Sequence, residues 1–294
     1  MRLVTTADVF GLHRAHLIGV AYRLTGSVAD AEDAVQEAWP RFAKATGIED
    51  ARGWLTTVVS RICLDRLRSA AVRRETYVGS WLPEPLLTTG EDDDPLAAVV
   101  RADGVRMAAL VVLDRLTPDQ RVAFVLHDAF SMPFGEIADV LGVSEAAARQ
   151  HASRARKAVA GAEPPPRAAL AEQQEVLEKF LRAMSSGDVE AVLGLLHPEA
   201  VMVGDGGGKA RTAVHTVTGA EKIARFFFGL MRKYGFDETG MPVLRPTLVN
   251  GDLGVVMART GEAAQRVITM AVHDGKVHAV YDFANPDKLG HVAF

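Results

Sequence analysis

Residues 134–157 constrain the fold more than any other part of the chain, because they carry the text of two short helices set at an angle. The first segment is brief, with Ile137, Ala138, Val140 and Leu141 apolar. Gly142 stands where a helix ends on a left-handed residue, Val143 can plug the angle, and Ser144 suits the N-cap of the next helix. From Glu145 to Val159, Ala147, Ala148, Ala152, Ala155 and Val159 are available to pack inward, and small side chains let helices approach closely. Arg149, Gln150, Ser153, Arg154, Arg156 and Lys157 are left on the outer faces. A helix with polar and basic side chains along one exposed face fits a DNA major groove. The competing reading is an αα-hairpin with a solvated basic face.

Composition sets the frame around this motif. A chain of 294 residues, 48% hydrophobic and 24% charged, has room for two or three folded domains. Apolar runs such as 107–113 and 226–231 fall far short of the ~20 residues of a membrane span. Asp8 interrupts the N-terminus too early for a signal peptide. One cysteine, Cys63, excludes a disulfide framework and a cysteine-based zinc site. These features point to a cytoplasmic protein with no metal, no cofactor and no membrane contact. The net charge of −4 argues against strong autonomous DNA affinity. Yet Arg61, Arg66, Arg68, Arg73 and Arg74 form one basic group, and Arg149, Arg154, Arg156 and Lys157 another. Such a chain binds DNA poorly alone and better when a partner holds it there.

The text divides into helical residues 1–75, a linker over 76–105, helical residues 106–160, a short linker over 161–169 and a final domain over 170–294. The longer linker carries Pro83, Pro85, Pro95, Gly79, Gly90 and the acidic run 91–94, and Pro164, Pro165 and Pro166 mark the shorter. In the first block, Ser27 and Asp30 resemble a capping signal, with Glu32 and Asp33 adding charge at the positive helix end. A second helix over 53–69 has a buried stripe of Trp54, Leu55, Val58, Val59 and Ile62, with Arg61, Asp65 and Arg68 on another face. Pro40 predicts a kink or an end to its helix, since a proline there costs ~3 kcal/mol.

Taken in order, residues 21–26, 29–37 and 53–68 resemble region 2 of the extracytoplasmic-function (ECF) sigma factors of bacterial RNA polymerase. Residues 116–126, leading into the helix-turn-helix, resemble region 4. Trp81-Leu82-Pro83-Glu84-Pro85, Asp205-Gly206-Gly207-Gly208-Lys209 and Asn285-Pro286-Asp287-Lys288-Leu289 resemble the subgroup with a fused SnoaL-like (NTF2-like) domain, and the resemblance gives them a regulatory role. It also implies core RNA polymerase and promoter DNA as partners, the polymerase through its β′ clamp helices and β flap. Asp33, Gln36, Glu37 and Trp39 would meet the clamp helices. Arg61, Arg68, Arg73 and Arg74 would contact the −10 strand. Arg149, Gln150, Ser153, Arg154 and Lys157 would read the −35 groove, Arg149 and Arg154 first. The acidic residues Asp92, Asp93 and Asp94 are either a nucleic-acid mimic or a solvated linker.

The fold class expected is therefore two all-α sigma domains followed by an α+β cone. In the last domain the sequence predicts helices around Val176, Phe180 and Leu193, broken at Gly187 and Asp188. A strand over 200–203, a helix over 219–234 and strands over 243–249, 254–259, 266–273 and 276–283 follow, with hairpin turns at Asn250-Gly251 and Asp274-Gly275. The expected sheet is curved and antiparallel around a pocket, with an unidentified small ligand as a further possible partner. His215, His273, His278, Asp205 and Asp282 are available for acid–base work, but no spacing fixes a pair, so catalysis is not expected. Residues 205–209 lack the spacing and the Ser/Thr of a P-loop, and their glycines suggest a mobile turn. The preferred reading is regulation in cis, the final domain packing on region 2, region 4 or the linker. The rival readings are a SnoaL-like cyclase or isomerase with a DNA-binding appendage and a ligand-sensing transcription factor.

Overall fold

The computed structural model describes residues 5–74, 77–88, 105–162, 164–234 and 242–294, with the side chains of 71–74 excepted. The chain falls into two compact units, one of 1–76, 91–105 and 109–163, the other of 77–90, 106–108 and 164–294.

The first unit opens with α1 (Thr6–Thr25), α2 (Val28–Lys44) and α3 (Ala51–Arg74), which pack on one another. Thr5 and Asp8 form a reciprocal capping box at the start of α1, and Gly26 ends it in the left-handed region at φ 68°. Ser27 then accepts the Asp30 backbone N–H and starts α2. Buried Leu17, Ile18 and Tyr22 of α1, Ala34 and Val35 of α2, and Leu55, Val59 and Ile62 of α3 form the core. Trp54 is half-buried, its ring centre 5.9 Å from that of Phe42.

The expected end of α2 at Pro40 is corrected: the helix continues to Lys44. Pro40 removes one N–H from the ladder, but both it and Gln36, whose carbonyl lost that donor, are exposed, so water can replace the bond.

The rest of this unit is α4 (Met107–Leu113), α5 (Pro118–Phe124) with a π-helical turn over Val125–Ala129, α6 (Phe134–Leu141) and α7 (Glu145–Val159). Thr117 and Gln120 close a second capping box ahead of α5. Gly142 has φ 69° and Ser144 accepts the Ala147 N–H, making the turn of the helix-turn-helix. Ala148, Ala152, Ala155 and Val159 are buried against the neighbouring helices, while Ala147 is half-buried.

The second unit is a mixed sheet packed against helices. Its elements are β1 (Leu87–Thr88), α8 (Leu170–Ser185), α9 (Val189–Leu195), β2 (Leu196–Asp205), β3 (Val217–Thr218), α10 (Ala220–Tyr234), β4 (Leu244–Val249), β5 (Asp252–Met257), β6 (Arg266–His273) and β7 (Lys276–Phe283). The strand order is β1-β4-β5-β6-β7-β2-β3. Asn250-Gly251 and Asp274-Gly275, all at positive φ, make the β4–β5 and β6–β7 hairpins. The sheet is not wholly antiparallel as expected, because β2 runs parallel to β7. Parallel neighbours need a crossover, supplied here by the chain through α10. Phe180, Val192, Met202, Ile223, Val255, Val277 and Val280 centre the core between sheet and helices.

Candidate nucleic-acid interface and linker dock

On α7 the outward residues share one basic surface. Arg149, Gln150, Ser153, Arg154 and Lys157 are all exposed. Arg149 pairs with Glu145 one turn earlier and lies over the Phe134 ring, 5.5 Å from its centre. Phe134 in turn stacks on His127 at 4.0 Å, so the guanidinium rests on an aromatic shelf. Arg156 is taken out of the surface by a two-point bond to Asp128, at 2.9 and 3.1 Å. Gln150, Ser153, Arg154 and Lys157 have no partner among the described residues.

Two of the basic residues expected of region 2 are engaged within the same unit. Arg61 donates to the Asp139 carbonyl at 2.9 Å, and Arg68 to the Asp119 carboxylate at 2.9 Å. Arg73 and Arg74 lie outside the described side chains, and the acidic run 91–94 lies outside the described residues. Two further contacts join these helices. Buried Arg121 of α5 donates to the Leu24 carbonyl at 3.1 Å, near the C-terminal end of α1 where carbonyls lack helical partners. Phe130 meets Arg23 at 5.2 Å and the edge of His16 at 5.4 Å. Burial, then the Arg52 charge, push the His16 pKa down to about 4. Neither Arg121 nor Phe130 was singled out from sequence, because only the three-dimensional pairing gives them a role.

The acidic face of α2 is drawn together by an arginine of α3. Asp33 and Glu37 sit a turn apart, 3.5 and 3.7 Å from Arg66 of α3, which also bonds Asp30 at 3.0 Å. Gln36 is exposed beside them. Trp39 is not brought to this group; its ring meets Phe10 edge-on at 5.1 Å.

In the second unit, residues 77–88 of the stretch read as linker are a built part of the fold. Asp205, fully buried at the end of β2, accepts three donors: the Tyr77 hydroxyl at 2.5 Å, the Leu82 amide at 2.8 Å and the Lys288 ammonium at 2.6 Å. Lys288 also donates to the Leu82 carbonyl and lies 3.9 Å from the centre of the Trp81 ring. Burial, followed by the bond to Asp205, pushes the Tyr77 pKa well above its usual range. Leu82 and Leu86 are buried, as are Pro83 and Pro85, and Glu84 is half-buried. Leu86 exchanges hydrogen bonds with Asn250, His291 bonds the Pro85 carbonyl at 2.8 Å, and Leu87 pairs with Val249.

The glycine run underlies this dock, and the mobile turn expected there is corrected to a close-packed one. A Cβ on Gly207, at φ 57°, would lie 2.4 Å from the Asn285 amide nitrogen, and one on Gly206 would lie 2.1 Å from the Ala210 carbonyl oxygen. Asn285 bonds the Tyr77 hydroxyl at 2.8 Å and opens the 3-10 turn Pro286–Lys288. Lys209 pairs with Asp287 at 2.6 Å across the two motifs, a solvent-exposed contact. Tyr77 was missed in the sequence; its one signal is an aromatic residue just before Trp81.

The acid–base candidates are dispersed. Asp205 is committed to the dock, and Asp282 pairs with Arg266 at 3.0 Å. His278 stacks on His197 at 4.3 Å and lies 6.0 Å from His273, while exposed His215 has no ring contact with them. Burial, then the His197 charge, lower the His278 pKa.

Comparison with known proteins agrees with this geometry. Residues 9–73 match the family model for sigma-70 region 2, residues 106–159 that for sigma-70 region 4, and residues 177–289 that for the SnoaL-like domain. The chain is 54% identical over 289 residues to the ECF RNA polymerase sigma factor SigJ of Mycobacterium tuberculosis, covering 94% of this chain and 90% of that protein. It is 33% identical over 285 residues to the probable ECF RNA polymerase sigma factor SigI of the same organism, covering 94% and 92%. The crystal structure of M. tuberculosis SigJ matches with a TM-score of 0.81 at 50% identity, over 97% of this chain and 98% of that one. With both sigma regions in order ahead of the third domain, the chain belongs to the ECF sigma factors of RNA polymerase, in the form that carries a SnoaL-like domain.

Proposed function

We propose a division of labour within this sigma factor, whose family is one of transcription regulators rather than enzymes. In the cytoplasm it joins core RNA polymerase, Asp33, Gln36 and Glu37 facing the β′ clamp helices and region 4 facing the β flap. Region 4 reads the −35 element with α7. Arg154 and Arg149 carry base recognition, because a guanidinium can pair bidentately with guanine, and Gln150, Ser153 and Lys157 support them. Region 2 holds the unpaired −10 strand with Arg61, Arg68, Arg73 and Arg74.

The SnoaL-like domain regulates this activity in cis, and the cone interior is where a small molecule would act on it. The observation that carries the proposal is the grip on Trp81 and Leu82 by buried Asp205 and Lys288. Residues 77–88 lie between the two sigma regions in sequence. Fixing them removes up to roughly 40 Å of free tether at ~3.4 Å per residue. A tethered surface acts at high effective concentration, so even a modest grip competes with other states of the linker.

Run-off transcription with purified core polymerase tests both parts. The full chain, a chain ending near Pro166 and Asp205→Asn are compared on one promoter. Initiation by any form establishes the promoter-directing role. A difference between the full chain and both altered forms supports regulation through the dock, and equal activity of all three refutes it.

A further inference from the structure

We propose that Asp252, on the β4–β5 turn, ties together the two ends of region 4 and thereby sets the length of spacer between the −35 and −10 elements that this sigma factor accepts. The proposal deepens the reading of the SnoaL-like domain as a regulator in cis and rests on it. Three passages of chain converge on the turn Asn250-Gly251-Asp252. The Leu86 amide, near the end of the docked linker, donates to Asn250 Oδ1 at 3.0 Å, and the Asn250 amide donates back to the Leu86 carbonyl at 2.7 Å. Arg106, just ahead of α4, donates from Nε to Asp252 Oδ2 at 3.2 Å. Arg167, just after the three prolines, donates from Nε to Asp252 Oδ1 at 2.8 Å and from Nη2 to the Asn250 carbonyl at 3.0 Å.

The two ends of region 4 also bond each other, since Arg106 Nη1 donates to the Pro165 carbonyl at 2.8 Å. The chain leaves this unit after Ala108 and returns at Pro164, so one arginine closes the base of everything between. Pro164, Pro165 and Pro166 hold their own φ, which keeps the returning segment stiff. Buried Gln173 of α8 braces the junction, donating to the Ala168 carbonyl at 2.8 Å and accepting the Leu253 amide at 2.7 Å. The Asp252 side chain is 5% exposed and faces two guanidinium groups. Hydrogen bonds between ionised partners are roughly twice as strong as neutral ones, so this is a firm anchor.

Region 2 joins the same unit at Tyr77, so one folded body carries both sigma regions through short joints. Residues 89–105 would span roughly 60 Å if drawn out. They start beside the turn, at Thr88 paired with Leu248, and end on it at Arg106, so they add no reach while Asp252 holds. Changing a spacer by two base pairs turns the −35 element by about 70° and shifts it by about 7 Å. Region 4 fixed at both ends resists that displacement, and region 4 on a free tether follows it. Asp252 acts on DNA only through region 4, as a positioning residue.

Run-off transcription with core polymerase tests this on promoters that share both elements and differ only in the spacer, lengthened or shortened by one and two base pairs. The full chain is compared with Asp252→Asn and with the double variant Arg106→Gln/Arg167→Gln. The double variant leaves every residue of the sheet in place and decides the question where the first does not fold. The native chain is expected to show a sharp optimum. In both variants the loss at two base pairs from the optimum is expected to be roughly three- to tenfold smaller, and activity at the optimum to fall, because a flexible tether lowers the effective concentration of region 4. A merely structural role for Asp252 would lower the melting temperature without widening the spacer profile. Profiles that superimpose on the native one overturn the proposal. Asp205→Asn, run alongside, separates the levels. Altered initiation by that variant with unchanged spacer profiles in the others refutes the Asp252 anchor and leaves the linker dock standing. Identical behaviour of all four proteins refutes regulation in cis as well.

Discussion

Replacing Lys288 with Met removes the cation at the centre of the dock while keeping most of its volume. The Lys288 side chain is 9% exposed and its partner Asp205 is fully buried, so solvent does little to screen them. Taking one member from such a pair leaves the other charge uncompensated and costs about 3–5 kcal/mol. The Tyr77 and Leu82 donors remain on the carboxylate, which sets the expectation near the lower end. The cation over Trp81 adds up to about 2 kcal/mol when desolvated. Leu82 and Leu86 stay buried by hydrophobic contact, so the dock loosens rather than vanishes. Hydrogen exchange of the Leu82 amide reads this locally, because that N–H donates to Asp205. A loss of 3 kcal/mol corresponds to roughly a hundredfold faster exchange. Amides in the α1–α3 bundle should be unchanged. If Leu82 protection in Lys288→Met stays within threefold of the native chain, Lys288 is not what holds the linker, and regulation through the dock loses its basis.

Three further outcomes follow from the same contacts. Arg154→Ala should weaken binding to the preferred −35 sequence by roughly tenfold to a hundredfold and relax selectivity at one base pair; in filter-binding assays Lys157→Ala should instead weaken all sequences and lower the salt slope by about one. His16 has its pKa lowered to about 4, against about 6.5 when unfolded, so its contribution to stability is present above pH 6.5 and lost as pH falls towards 4. Because the ring is partly solvated, that loss is about 1–2 kcal/mol, and His16→Gln should flatten the profile of urea midpoints between those pH values. Gly207→Ala places a side chain in the left-handed region and against Asn285, which should lower the melting temperature of the SnoaL-like domain by roughly 5–15 °C.

What the sequence discloses is local, and what it conceals is made by contacts between distant residues. The caps at Ser27, Gly26, Gly142 and Ser144, the α7 surface and the two hairpin turns can all be read from a few adjacent residues. Each depends on chemistry within one turn of chain. The parallel pairing of β2 with β7 joins residues about 80 apart, as Met202 with Val280, and has no local signature. Arg121 and Tyr77 carry bonds across 97 and 128 residues, and Arg66 across 36, so their types alone do not mark them. Pro40 shows the limit from the other side, since its cost depends on whether water reaches the carbonyl it abandons. The three motifs of the dock were visible as text, but their physical reason appears only when Asp205 meets Lys288 and Leu82.

The contacts themselves imply an order of opening. Arg68 and Asp119 are 49% and 32% exposed, so their pair contributes under about 1 kcal/mol, and the bond from exposed Arg61 to a carbonyl is similarly weak. A nucleic-acid phosphate can replace each of those partners at little cost, because the arginine exchanges one acceptor for another. Arg121 is different: its side chain is 5% exposed and bonds Leu24, Leu113 and Asp114 at once. Separating α5 from α1 strands a buried carbonyl near a helix terminus, at about 1–3 kcal/mol. The Asp205–Lys288 grip costs more than any of these to break. Polymerase and DNA would therefore free Arg61 and Arg68 first, then the Arg121 contact, with Trp81 and Leu82 still held by the SnoaL-like domain. On this reasoning the linker dock would outlast the contacts between the sigma regions, and its release would fall to an input at the SnoaL-like domain.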